Sequence, residues 1–344
     1  MKPHHRSGSN EETVTMKKIL IIMGVVLMSV IPATPAHASI KKVAQTGLQF
    51  LKVDFPARAA GMGGAYIMVG NDASAMFYNP AGIALMQKSL DFFSGTTQWI
   101  ADINYHSAGL IKNLGNMGTA GVSVIYCDYG DDMIGTRVAA NERGYSKTGT
   151  VDIGAYTLGL SYARSLTDKF SIGGQIKYAV QHLGSNVITE GGSEIENKVS
   201  GLAYDFGTIF YPGFYSLRVG MSINHFSGQF KYEEEAFQLP LTFKIGAAMD
   251  VLDLTGEHQN PLLIAIDAIH PRDYTERIHL GGEYLYNNLI AIRAGYKFNY
   301  DEEGLTAGVG FKFALRGVDL KVDYAYSAMD IFDTVSRFSL GISL

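Results

Sequence analysis

The sequence predicts an all-β protein, a transmembrane barrel of about 14 antiparallel strands behind a short helical N-terminal plug. Three observations predict it. From Ser89 onward, apolar residues recur at every second position, in runs near the roughly nine to eleven residues that a tilted membrane strand requires. The links between runs are alternately compact and long, the pattern of a barrel with both ends on one side of a membrane. The N-terminal apolar run is too short for the roughly 20 residues of a membrane helix, and no later apolar run is long enough either.

The elements follow in chain order. The first fifteen residues are polar and aperiodic. Met16, Lys17 and Lys18 then precede an apolar run from Ile19 to Ile31 and the small-residue site Ala36-His37-Ala38, the order of a secretory signal. The expected cut follows Ala38, and Met16 is the expected start. No cysteine follows the cut, so a lipoprotein anchor has no support. Residues 1–38 are therefore read as extension and signal, 39–88 as the plug and 89–344 as the barrel, which places the chain in an outer membrane.

Between signal and strands lies Phe50 to Met86, which resembles neither. Gly61, Gly63 and Gly64 permit tight turns and close backbone approach. Asn71 and Asp72 are good N-cap residues for a short helix from Ala73 to Tyr78. Asn79-Pro80 breaks that run and can restart it, with Asn79 as cap and Pro80 at the first position, carrying Ile83, Ala84 and Leu85. Two short helical pieces with a glycine-rich lead-in cannot form a core alone, so they must pack inside something larger.

The strands are clearest at Val318 to Tyr326, where Val318, Leu320, Val322, Tyr324 and Tyr326 alternate with Asp319, Lys321, Asp323 and Ala325. Ile290 to Phe298 and Leu241 to Met249 alternate likewise; Phe170 to Val180, Leu202 to Phe210, Tyr215 to Ile223 and Phe338 to Leu344 extend the series. The first two strands, around Phe92 and Tyr105, alternate poorly. Compact turns are predicted at Leu166-Thr167-Asp168, Pro212-Gly213, Asn287-Asn288 and Arg316-Gly317, and longer outer segments at Asp131 to Thr150, Gly184 to Ser200 and Gly228 to Leu239. Apolar positions then face lipid, because a charge there costs about 2–4 kcal/mol near the midplane. Asp319, Lys321, Asp323, Lys312, Arg293 and Lys297 are left to pair inside the lumen. Tyr284, Tyr286, Tyr296 and Phe298 suit the interfacial aromatic girdles.

Composition excludes several functions. Cys127 is the only cysteine, so there is no intramolecular disulfide framework, thiolate zinc cluster or redox pair. A net charge of −5 argues against a nucleic-acid surface. His106, His182, His225, His258, His270 and His279 are scattered and read as surface or girdle residues, at no metal-ligand spacing. No serine–histidine–acid constellation emerges, and neither an enzyme, a metal nor a cofactor is expected. Glu233-Glu234-Glu235 and Asp131-Asp132 read as solvated outer loops. Gly61 to Gly64 lacks the Lys-Ser/Thr pair of a phosphate loop.

The segments Phe50-Leu51, Ala57-Arg58-Ala59-Ala60, Gly63-Gly64-Ala65-Tyr66, Asn71-Asp72-Ala73-Ser74-Ala75 and Asn79-Pro80-Ala81-Gly82, in this order, resemble the N-terminal signature of the PorV/PorQ family of bacterial outer-membrane proteins, relatives of the FadL fatty-acid channels. Ser161-Tyr162-Ala163, His279-Leu280-Gly281, Arg293-Ala294-Gly295-Tyr296, Asp323-Tyr324-Ala325-Tyr326 and Arg337-Phe338-Ser339-Leu340-Gly341 extend the resemblance. It implies a component of type IX secretion that receives exported cargo carrying a C-terminal sorting domain, among outer-membrane lipid and other secretion components. By resemblance to FadL-type barrels, the alternative is a channel for a hydrophobic ligand gated by the N-terminal segment. In that plug or hatch, Arg58, Gly63, Gly64, Asn71, Asp72, Asn79, Pro80 and Gly82 are the candidate residues. Asn79, Pro80 and Gly82 would form the bend, and Arg58 would pair with a lumen acid such as Asp319 or Asp323.

Overall fold

The computed structural model describes residues 46–344 except 131–133, 187–194, 233 and 257–258. The signal, Met16, the start of the plug, Asp131, Asp132, Glu233 and His258 thus lie outside the described residues. Among the described residues, eighteen strands follow the plug. In chain order they are β1 (Leu90–Gln98), β2 (Asn104–Asn113), β3 (Thr119–Asp128), β4 (Ile134–Val138), β5 (Tyr145–Thr150) and β6 (Ile153–Ser165). Then come β7 (Phe170–Asn186), β8 (Ile195–Phe210), β9 (Arg218–Ser227), β10 (Gln229–Lys231), β11 (Ala236–Gln238) and β12 (Thr242–Asp250). The last are β13 (Leu262–Pro271), β14 (Arg277–Tyr286), β15 (Ile290–Phe298), β16 (Glu303–Leu315), β17 (Val318–Met329) and β18 (Val335–Ser343).

Fourteen of these form one closed antiparallel barrel, each pairing with its barrel neighbour in sequence. Closure is made by β1 against β18, in register from Asp91 opposite Ser343 to Gln98 opposite Ser336. No edge is left unpaired, so the backbone polar groups of the wall are satisfied without water. The weakly alternating β1 and β2 are full members, because closure supplies the ladder partners that their apolar pattern does not advertise.

Side-chain polarity is inverted relative to a soluble core. Leu160 is 67 % exposed and Leu305 61 %, while Arg293 is 3 % and Arg337 2 % exposed. Outward-pointing charges on the described barrel strands stay near strand ends, at Lys112 and Arg164 on one rim and Asp128, Glu196 and Lys198 towards the other. A wall with this polarity fits hydrocarbon outside and a polar lumen inside.

The rim carrying Leu90 and Leu344 has the tight turns. Asn287 and Asn288 both take positive φ, at 50° and 56°, and Arg316-Gly317 do the same at 50° and 90°, as two-residue hairpins require. The opposite, outer rim departs from expectation. The segment Asp131 to Thr150 contains the hairpin β4–β5, and Gly228 to Leu239 contains β10–β11. In the expected outer segment Gly184 to Ser200 the described residues are strand, since β7 runs to Asn186 and β8 starts at Ile195. Beyond the membrane both faces of a strand meet water, so no period-two apolar signal marks it. The expected strand Tyr215 to Ile223 is also displaced: Tyr215 has φ 47° inside the turn, and β9 runs from Arg218 to Ser227.

Candidate functional site

The segment from Thr46 to Met86 occupies the lumen and touches the wall around the ring. Besides the 3-10 turns Ala73–Phe77 and Pro80–Leu85, it contains a further 3-10 turn, Gln49–Lys52, and one short α-helix, α1 (Ala57–Gly61). These two additional pieces have no strong caps, and their small residues carry little helical pattern, which is why sequence alone does not announce them.

The first described residues of the segment lie at the outer rim. There Thr46 donates to Asp273 at 2.7 Å, and Lys52 pairs with the same carboxylate at 3.1 Å, in the link between β13 and β14. Asp54 comes next. Its carboxylate meets Lys297 at 2.7 Å and the Tyr78 hydroxyl at 2.6 Å, and its carbonyl accepts from Arg337 at 2.7 Å. Below it, α1 lies against β15 to β18, where small residues let backbone meet backbone; a Cβ on Gly61 would stand 3.1 Å from Gly308 Cα.

Arg58 forms a two-pronged pair with Glu283, Nε to Oε2 at 2.8 Å and Nη2 to Oε1 at 2.6 Å. The expected partners are corrected here. Asp323 is held by Arg293 at 2.6 Å, and Asp319 sits at the short-turn rim against Lys88 at 3.2 Å. Arg293 also binds Glu283 at 2.6 Å, so a chain of charges runs Arg58–Glu283–Arg293–Asp323 from plug into wall. Geometry of reach decides this: Glu283 lies opposite Arg293 on neighbouring strands.

Gly63 and Gly64 take φ of 65° and 75°, which L side chains rarely adopt, and the chain reverses there against β14 and β15. The wall is cut away to receive it, because a Cβ on Gly295 would overlap the backbone nitrogen of Gly63. Gly295→Val is therefore expected to leave a barrel with an unseated plug, seen as new protease cleavage between Ala57 and Met86. Unchanged protection would show that the two backbones do not press together.

Past this turn, Tyr66 and Ile67 donate their amides to Asp267 at 2.8 and 3.1 Å. Asn71 is exposed, and Asp72 takes the N-cap role, accepting from the Ser74 amide at 3.1 Å while Lys321 binds its other oxygen at 2.8 Å. Asn79 caps the next turn through Ala81 at 3.0 Å and donates to the carbonyls of Ile67 at 3.0 Å and Thr208 at 3.2 Å. Pro80 follows as the first residue of its turn and rests on Gly173, and Gly82 is packed on the carbonyl of Gly70. The bend at Asn79 to Gly82 is thus bound on both sides.

Burial would raise the carboxyl of Asp54, yet Lys297, His279 and Arg337 hold it well below the usual carboxylate range. Asp72 is likewise raised by burial and held lower by Lys321 and Arg58. Both groups have folded values below their unfolded ones. The stability they add is present above the unfolded value, about 4, and is lost as pH falls through the depressed folded value. The contribution of these two carboxylates to the unfolding temperature in detergent should therefore stay flat from neutral pH to about pH 4 and fall below it. Asp54→Asn should lower the neutral plateau and flatten that acid limb; a variant curve parallel to wild type would refute the assignment.

Two histidines depart from the expected surface or girdle role. His279 is buried with Nε2 at 2.7 Å from the Tyr300 hydroxyl, and His225 places Nδ1 at 2.8 Å from Lys177, whose ammonium pairs with Asp205 at 2.6 Å. Glu234 and Glu235 are exposed. Among the described residues no cluster of His, Cys, Asp or Glu is arranged to hold a metal. Of the anchors that sequence reading passes over, Asp54, Asp267 and Glu283, two carry a usable signal: Asp267 interrupts the otherwise apolar inward row of β13, and Glu283 shares inward parity with Arg277 and His279 on β14.

Above the plug, towards the outer rim, a cavity of about 490 Å³ remains. Phe50, Phe77, Trp99 and Tyr105 contribute to its apolar wall, and Lys244, Arg277 and Lys297 to its polar one.

Two of the solved structures that share this architecture are transporters. The toluene transporter TbuX of Ralstonia pickettii aligns with TM-score 0.51 at 14% identity, over 84% of this chain and 97% of that one. The toluene transporter TodX of Pseudomonas putida aligns with TM-score 0.51 at 11% identity, over 83% and 96%. No curated protein matches the sequence. The family model described as "Type IX secretion system protein PorV" matches residues 36–266, which include the plug and the wall through the first half of β13. The chain belongs to the PorV family of type IX secretion system proteins.

Proposed function

We propose that this outer-membrane barrel works in type IX secretion as a closed wall that receives exported cargo at its outer rim and passes it on to surface attachment, with no solute crossing the lumen. One observation carries the reading. The lumen is filled by a segment pinned to the wall by four buried or half-buried ion pairs, at Asp54, Arg58 and Asp72 and, nearest the outside, Lys52. Such a fastening suits a seal. On this reading residues 1–38 are removed after Ala38, residues 39–88 are the plug, and residues 89–344 are the barrel. Arg58, Gly63, Gly64, Asp72, Asn79, Pro80 and Gly82 seat the plug, while the exposed Asn71 contributes nothing to that seat. The protein has no catalytic role, and its partners are secreted cargo, other secretion components and membrane lipid.

Deletion of the gene, followed by comparison of surface-exposed proteins with uptake of long-chain lipid, tests this directly. Loss of surface cargo with normal uptake is expected. Normal cargo with lost uptake would instead establish the second reading, a gated channel for hydrophobic molecules, which the cavity's aromatic wall favours.

A further inference from the structure

The lumen is crowded with charge, and most of its cations are satisfied. Lys177, Arg293, Lys297 and Lys321 have carboxylate partners, and Arg218 and Arg337 donate to backbone carbonyls. Among the described residues, Lys244, Arg277 and Lys312 are interior cations that bind no carboxylate, hydroxyl or carbonyl in this structure. Two of these three, Lys244 and Arg277, line the same cavity above the plug.

Their surroundings differ from those of the paired cations. The Lys244 ammonium faces the ring of Tyr78 at 5.0 Å. The Arg277 guanidinium stacks between the rings of Tyr274 and Tyr300, at 4.4 and 3.8 Å, and its buried Nε has no partner. Cation–π contact orients both groups without occupying their N–H donors. A half-buried cation with idle donors is costly to hold, and an anion removes that cost. The remaining wall mixes aromatic residues, Phe50, Phe77, Trp99 and Tyr105, with polar ones. Of its carboxylates, Asp54 and Glu303 are held by Lys297, Glu302 accepts from the Ile331 amide, and Asp301 is exposed. The volume of about 490 Å³ lies within the range of sites for small organic ligands.

We propose that this cavity binds an organic carboxylate with an aromatic or apolar body, its carboxylate held by Lys244 and Arg277 and its body against Trp99 and Tyr105. The site goes beyond the secretion role and does not rest on it: binding is measured on the isolated barrel, so its failure leaves cargo delivery untouched as a separate question. The same chemistry is carried by a free small acid and by the C-terminal end of a polypeptide, and both can approach from the outer rim.

Trp99 is the single tryptophan and lines the cavity, so its emission reports occupancy. The full-length barrel in lipid nanodiscs is titrated with 4-phenylbutyrate and with 4-phenylbutyramide. Parallel titrations use a five-residue peptide ending in phenylalanine, as the free acid and as the C-terminal amide. At least one of the two acids should change Trp99 emission saturably, and its amide should bind about tenfold more weakly, since the amide forfeits a charge-assisted bond. Binding of the peptide acid alone would assign the site to a chain end, and binding of phenylbutyrate alone to a small molecule; both outcomes support a carboxylate site. Lys244→Gln and Arg277→Gln should each weaken the acid by a similar factor, and Lys312→Gln, an unpaired cation outside the cavity, should not. Heat-modifiability of each variant on gels verifies that the barrel has folded. Acid and amide binding equally, neither acid binding, or full affinity in folded Lys244→Gln and Arg277→Gln would overturn the assignment.

Discussion

Glu283→Ala is expected to destabilise the folded barrel by about 3–5 kcal/mol, the usual cost of removing one partner from a buried ion pair. The size follows from geometry. Glu283 accepts from Arg58 of the plug and from Arg293 of the wall, and the Arg293 side chain is only 1 % exposed. Removing the carboxylate leaves two guanidiniums facing each other, with Asp323 available to only one of them. Repulsion between plug and wall then replaces attraction, so the effect concentrates on plug seating. The measurement is the unfolding midpoint in detergent together with protease access to residues 57–86. Lys88→Ala breaks a pair whose side chains are 36 % and 39 % exposed, and its cost should lie near the roughly 0–1 kcal/mol of surface pairs. Similar losses for the two variants would mean that the Glu283 cluster does not hold the plug. Arg58→Ala should fall between them, because it leaves Glu283 still paired with Arg293.

Much of this assembly was legible in the chain, for definite reasons. In lipid a strand can turn only one face outward, so Val318 to Tyr326 and Ile290 to Phe298 declare their direction by alternation alone. Asn287-Asn288 and Arg316-Gly317 declare their turns because two-residue hairpins need positive φ. Asn79-Pro80 declares a helix restart for equally local reasons. What remained hidden depends on contacts distant in sequence. Arg58 and Glu283 are 225 residues apart, and neither residue's neighbours specify the other. Asp273 gathers Thr46, Gln49 and Lys52 from a loop whose sequence reads as ordinary link. The hairpins β4–β5 and β10–β11 rise beyond the membrane belt, where the alternation constraint lapses. His279 reads as a surface residue because a lone histidine carries no inward or outward sign; its parity with Asp267, opposite it in the ladder, is the available clue.

A covalent lock between plug and wall should leave cargo delivery intact, and this expectation separates the two functional readings most sharply. The amide of Ala57 donates to Ser339 Oγ at 2.9 Å, so the plug chain and β18 are adjacent at that point. Cysteines at 57 and 339, in a Cys127→Ala background that removes the buried native thiol, place two sulfurs at this contact. A closed secretion component does not need its plug to move. Cells carrying the lock should show the same surface cargo under oxidising and reducing conditions. A gated channel must move the segment between Ala57 and Met86, because that segment is buried inside the barrel and packed against its strands. The lock should then abolish uptake of a hydrophobic probe, and reduction should restore it. The ion pairs weigh on the same side as the first outcome: opening would separate Arg58 from Glu283, Asp54 from Lys297 and Asp72 from Lys321 together. A ligand that drives such a motion must favour the open state by the summed cost of three separated pairs, since binding shifts an equilibrium only by its difference in affinity between states. An apolar molecule in a cavity lined by Lys244, Arg277 and Lys297 has little with which to supply that difference.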